Sequence, residues 1–322
     1  MKLLLGFCLF LIASMAALGP QNAVTKAQTK DGAVQVQMRN VMYHFQNNVA
    51  VHIRRLAGAL TPKQGHIPVF DDKNSFTLRV DAGEMAITAQ AMANVLNQYV
   101  FARDDSPIKD VSIKIEKGRL DVKGKLHKKG DISFESENTL SVTPDGKIRL
   151  HAEKIKALHL PAKGLMDLFG VEIADLIKTG KVHGVKAEKD DLILDPEQAL
   201  PPPHIMGRVT QVRLEGENIV QVFGDPEKYR WVAVPAQNYM AYRGNRLKFG
   251  RLTMEDTDMV LIDPAPRDPF DFYLDHYKEQ LTAGYTKTTA TFGLRVFMVD
   301  YNKLKPARLP QKRQKANTPP RN

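Results

Sequence analysis

The chain has 322 residues, 43% of them hydrophobic and 25% charged, which is enough length and apolar content for a sizeable core in one large or two ordinary domains and excludes a fibrous or wholly disordered chain. The formal net charge of +10 arises mostly at the C-terminal end, where Lys303, Lys305, Arg308, Lys312, Arg313, Lys315 and Arg321 meet no acid. What precedes that tail is close to neutral, which argues against nucleic acid as the partner, because nucleic-acid binders spread basic groups over a folded face.

Residues 1–19 read as a secretory signal peptide: Lys2, an apolar run over residues 3–12, then small residues with Ser14 and Ala16 placed for cleavage. The run is shorter than the ~20 residues of a membrane span; an uncleaved anchor is the alternative. Cys8, the only cysteine, lies inside it, so a processed chain has no thiol, disulfide or Cys-bound metal. These features predict an exported protein.

A folded unit is expected over residues 30–224. Val34, Val36 and Met38 alternate, then Val41, Tyr43 and Phe45 continue on the other parity; Val49, Val51 and Ile53 give way in the same manner to Leu56 and Leu60. Such a slip predicts β-bulges near Arg39-Asn40 and Arg54-Arg55, which would let a long hairpin curl. A short strand is expected over residues 75–80, and Thr88 is placed to cap a helix from Ala89 to about Ala102, with Met92, Val95, Leu96, Tyr99 and Val100 as its apolar stripe.

The segment around which the unit is organised follows, over residues 110–179. Four strands alternate strictly, with Val111, Ile113, Ile115; Leu120, Val122, Leu126; Ile132, Phe134; and Ile148, Leu150, Ala152 on one face and charged or polar residues on the other. Lys117-Gly118, Lys129-Gly130 and Asp145-Gly146 mark the turns. An apolar helix is expected over residues 161–179, carrying Leu165, Leu168, Phe169, Ile173, Leu176 and Ile177, apolar on most sides and interrupted by Gly170. A one-sided sheet must bury its apolar face, and this helix is the nearest cover. Together they close either a solid core or an apolar slot, and the periodicity fits both.

Two hairpins follow, around Lys189-Asp190-Asp191 and Gly216-Glu217, separated by Pro201-Pro202-Pro203. Residues 225–301 read as an extension packed on the main sheet or as a small second unit, with strands at 246–253 and 258–263, a short helix at 273–281 and a last strand at 286–299. Residues 302–322 read as a disordered basic tail. It is expected either to touch an anionic membrane surface, where each nearby Lys or Arg adds about 1 kcal/mol, or simply to solubilise the chain.

Catalytic motifs are missing: there is no Gly-x-Ser-x-Gly elbow, phosphate-cradling loop or dinucleotide fingerprint, and the nine histidines show no metal-ligand spacing. Glu255, Asp256, Asp258, Asp263, Asp268, Asp271 and Asp275 form an acidic run that could hold Ca²⁺ or act in sugar chemistry, but its spacing matches no calcium loop, and structural or solvated roles are expected. No enzyme activity, cofactor or metal is expected.

The stretch from about Val111 to Phe223, with SVTPDGKIRLHAEKIKALHLPAKGLMDLFGVEIADLI at its centre and GVKAEKDDLIL after it, resembles the LmeA-like phospholipid-binding family of the tubular lipid-binding (TULIP-like) superfamily. AITAQAMANVLNQYVF is similar to the first helix of that unit, so the likeness spans residues 34–224. The resemblance implies an α+β fold in which a long curved antiparallel β-sheet wraps around one or two apolar helices. It also implies a periplasmic or cell-envelope location and an acyl-chain lipid, phospholipid or other, held between sheet and helices for lipid transport. It carries over no catalytic residue. The expected lipid-binding residues are Ile113, Ile115, Leu120, Val122, Ile132, Phe134, Ile148, Leu150, Leu165, Leu168, Phe169 and Ile173, some of them plain core. A non-catalytic envelope scaffold with a filled core, and a carbohydrate-active hydrolase built on the acidic run, are the other readings.

Overall fold

The computed structural model describes residues 32–63, 66–127, 131–157 and 184–304. Of these residues 55% lie in strands and 12% in helices, a sheet-rich α+β architecture.

Three long strands come first, β1 (Val34–Gln46), β2 (Val49–Pro62) and β3 (Phe76–Thr88), paired antiparallel in that order. As the parity slip requires, β1 buries Val34, Val36 and Met38 and then Val41, Tyr43 and Phe45. Asn40, between the two sets, takes a φ of 51°. The β2–β3 register slips between Ile53 and Arg55, and again between Ala57 and Gly58. The extra residue, Arg54, reaches Glu84 (2.7 Å) and Glu215 (2.6 Å), and Arg213 also bonds Glu84 at 2.7 Å. Burial pulls the Glu84 carboxyl up, but hydrogen bonds from the two arginines outweigh it and hold Glu84 below the ordinary range.

β3 runs well past the expected Val80, because a second slip at Asp81 restores the ladder through Gly83 and Glu84. It leads into α1 (Ala89–Val95), capped by Thr88, whose Oγ1 accepts from the Ala91 N–H at 3.0 Å. The helix then widens into a π-helical turn, Leu96–Val100.

A second sheet follows: β4 (Ile108–Glu116), β5 (Arg119–His127), β6 (Asp131–Val142), β7 (Ile148–Ala157), β8 (Val185–Glu188) and β9 (Asp191–Leu194), in the order β4-β5-β6-β7-β9-β8. Lys117 and Gly118 turn with φ of 51° and 74°, the double positive φ of a tight hairpin. The Lys129-Gly130 turn, the helix expected over 161–179, the signal peptide and the tail beyond residue 304 lie outside the described residues.

Beyond α2 (Pro196–Ala199) the chain returns to the first sheet. β10 (His204–Met206) runs parallel to the start of β3; β11 (Val209–Glu215) and β12 (Asn218–Phe223) form a hairpin whose second strand pairs with the end of β3. Two residues, Gly207 and Arg208, separate β10 from β11. Gly207 parts them where an added Cβ would lie 3.0 Å from the Val80 carbonyl oxygen.

The C-terminal strands extend the same sheet. β13 (Tyr239–Gly244) pairs with the first half of β1, and β14 (Leu247–Phe249) with β15 (Leu252–Met254) forms a small hairpin. β16 (Thr257–Ile262) joins β13, and β17 (Phe270–Tyr273) runs parallel to the second half of β1. α3 (Tyr277–Thr282) then precedes β18 (Tyr285–Thr288) and β19 (Leu294–Phe297), the latter beside β16. The full order is β11-β12-β3-β2-β1-β13-β16-β19-β18, with β10 on β3 and β17 on β1. The single strands expected at 246–253 and 286–299 are each a hairpin, broken at Gly250 (φ 57°) and at the Thr289–Gly293 turn.

Candidate functional site

The apolar face of the second sheet looks toward α1 and its π-helical turn. One side chain docks the two: Asn97 Nδ2 donates to the Val111 carbonyl at 2.7 Å, and the Val111 N–H donates to Asn97 Oδ1 at 2.8 Å. Val111 stands at a register slip in β4, between Lys109 and Ser112, beside Asp110 at a φ of 54°. The slip changes parity, which is why Ile108 and Val111 are both buried.

Sheet and helix leave an apolar cavity of about 90 Å³ between them. Six expected residues line it: Ile113, Leu120, Val122, Phe134, Ile148 and Leu150. Ile115 and Ile132 do not; they are partly buried against the surrounding core. Leu165, Leu168, Phe169 and Ile173 lie outside the described residues. The facing wall comes from Met92 and Leu96, with Leu192, Leu194 and Ile219 closing the sides. Met92 and Leu96 stood on the predicted stripe of the helix; their meeting with the sheet had no local signal.

Local details shape the wall. Gly124 pairs with Phe134, and a Cβ there would come within 2.9 Å of that ring, so the missing side chain leaves the ring its place across β5. The β6–β7 register slips between Glu137 and Asn138, where β7 carries an extra residue, Glu153. Parity changes there, so Ile155 joins Ile148 and Leu150 on the wall. Ile155 is itself 38% exposed.

No charged side chain lines the cavity among the described residues; the polar ones are Ser136 and Asn138. Asn138 Nδ2 lies 3.0 Å from the Leu120 carbonyl and 2.9 Å from that of Ser136. An uncharged wall whose amide donor is spent on backbone carbonyls can hold hydrocarbon by burial.

A polar cavity of about 390 Å³ lies among residues of opposite parity, Lys147, Arg149, Lys186 and Ile193. Several of its charges have ion-pair partners: Lys147 lies 3.4 Å from Asp145 and 3.5 Å from Asp195, and Arg149 is 3.4 Å from Asp191. The charge of Asp195 raises the Lys147 ammonium, and the Thr143 hydroxyl lowers Asp145.

The acidic run of the C-terminal region is dispersed among separate partners. Asp258 takes Arg295 at 3.0 and 3.1 Å, and Asp271 takes His44 Nε2 at 2.5 Å and the Asn302 N–H at 3.1 Å. Asp263 accepts from Asn238, Glu255 pairs with Arg246, Asp268 with Lys303 and Asp275 with Lys73. Among the described residues no group of three or more His, Cys, Asp or Glu is arranged to hold a metal ion, and no helix is long and apolar enough to cross a membrane.

What fold and site define is a sheet-rich α+β protein with an uncharged apolar cavity between a meander and a helix. No family model, curated protein or solved structure matches the chain.

Proposed function

We propose that this chain binds phospholipid or another acyl-chain lipid in the cavity between the second sheet and α1. The observation that carries the proposal is the convergence of Ile113, Leu120, Val122, Phe134, Ile148 and Leu150 on one cavity without a charged lining residue among those described. Each methylene buried there contributes about 0.8 kcal/mol, without direction and with tolerance of headgroup. In this reading the long sheet curls in the TULIP-like manner, the protein is exported to the periplasm or cell envelope, and its role is passive carriage of lipid. The basic tail, 302–322, would rest on an anionic membrane surface.

The experiment is organic extraction of the purified full chain followed by mass spectrometry, with uptake of a fluorescent phospholipid by the delipidated protein. Co-purified lipid and saturable uptake are expected, and Leu150→Trp should reduce uptake at least tenfold while the fold is kept. Absence of both lipid and uptake overturns the proposal. The small free volume, about 90 Å³, favours the second reading, a non-catalytic envelope scaffold, which predicts that outcome.

A further inference from the structure

The cavity beside α1 does not stand alone. A second apolar cavity, of about 40 Å³, shares Met92, Ile148 and Leu194 with it. A third, of about 30 Å³, shares Val51, Met85 and Ile205 with the second. The row runs from Ile155, exposed on β7, past α1 and into the interior of the long sheet. There it ends on Phe70, Tyr242 and Phe272, whose rings pack at centroid distances of 5.7 and 6.1 Å. Neither inner cavity has a charged lining residue among those described.

Methionine is shared at both junctions. Its unbranched thioether turns about three soft bonds and re-packs at low cost, unlike the β-branched residues around it. A straight hydrocarbon chain that displaced the Met92 and Met85 side chains would meet mostly apolar side chains and no charged one among those described.

We infer that the three cavities are successive segments of one apolar conduit, in which Met92 and Met85 set how much of an acyl chain is buried, so that the protein selects lipids by chain length. The inference rests on the lipid-binding reading above. Under it, the first cavity takes the methylenes nearest the headgroup, and the two inner cavities take the distal end of a long chain.

The test uses the delipidated full chain and lysophosphatidylcholines with acyl chains of increasing length, their affinities measured by competition with a fluorescent lipid. Wild type should gain about fourfold in affinity per added methylene until the conduit is full. Met85→Trp should end that gain at a shorter chain. Met85→Ala should carry the gain to a longer chain, and Met92→Trp should end it earlier than Met85→Trp. Because the Trp and Ala variants at Met85 act in opposite directions, general destabilisation cannot imitate the pair. An unchanged plateau in both Met85 variants overturns the conduit while lipid binding stands. Failure of wild type to bind any chain length overturns both readings.

Discussion

The long sheet and the second sheet differ in what fills their inward faces. Inside the long sheet Phe270, Phe272, Met240 and Leu56 are 0 to 1% exposed. Phe70 stacks edge-on against Tyr242, Phe249 and Tyr277 at 5.0 to 5.7 Å between centroids. Flat rings of this size interlock and leave about 30 Å³. The second sheet offers chiefly Ile, Leu and Val to α1 and leaves about 90 Å³. Alternation makes a one-sided sheet in both places, and whether it closes depends on the shapes brought against it.

Core truncation should separate the two regions most strongly. Phe272→Ala, in the filled region, is expected to cost about 3–5 kcal/mol, whereas Leu150→Ala, beside existing space, should fall near 2 kcal/mol; urea denaturation checks both, and equal losses would erase the contrast. Asn97→Ala removes the clamp between helix and sheet and leaves two Val111 backbone groups unpaired, for a loss of about 1–3 kcal/mol. Hydrogen exchange should then rise at Val111 and leave the β1–β2 amides protected. Thr88→Ala deletes the cap of α1 at about 1 kcal/mol, and Thr88→Ser should restore most of it.

The smallest effect is a pH effect, in the outer network of the long sheet. Glu84 has a folded pKa below its ordinary 4.5, with Arg54 and Arg213 opposing its burial. Its stabilisation is therefore present above pH 4.5 and lost as pH falls through the lowered folded value. Glu84 is 16% exposed and its partners about a third, so solvent screening keeps the effect below about 1 kcal/mol. Glu84→Gln should be less stable than wild type at neutral pH and converge with it in acid. A gap that persists in acid would assign the effect to packing.

The meander was legible because its strands alternate over several residues each and Gly-containing turns part them; Lys117-Gly118 and Gly216 turn where they were expected to. The slips in β1 and β2 were legible too, since a bulge changes the parity of the apolar residues. β3 was read too short because Asp81-Ala82-Gly83-Glu84 resembles a loop, and only its neighbours β2 and β12 hold it extended. β13 and β17 were missed for a related reason: Tyr239–Gly244 and Phe270–Tyr273 are buried along most of their length, which removes the alternation that announces a half-buried strand. Of the expected lining, eight residues are described and six meet at the cavity, while Ile115 and Ile132 turn inward beside it.

By itself the sequence determined the periodic strands, the turn positions, the cap of α1 and which face of the meander is apolar, because each follows from backbone geometry over a few neighbouring residues. Only the tertiary structure decided that the C-terminal strands join β1, that the acidic run is divided among Arg295, His44, Lys303 and Lys73, and that apolar space remains beside α1. Those outcomes depend on contacts between residues tens to hundreds of positions apart, and packing at that range leaves no periodic trace along the chain.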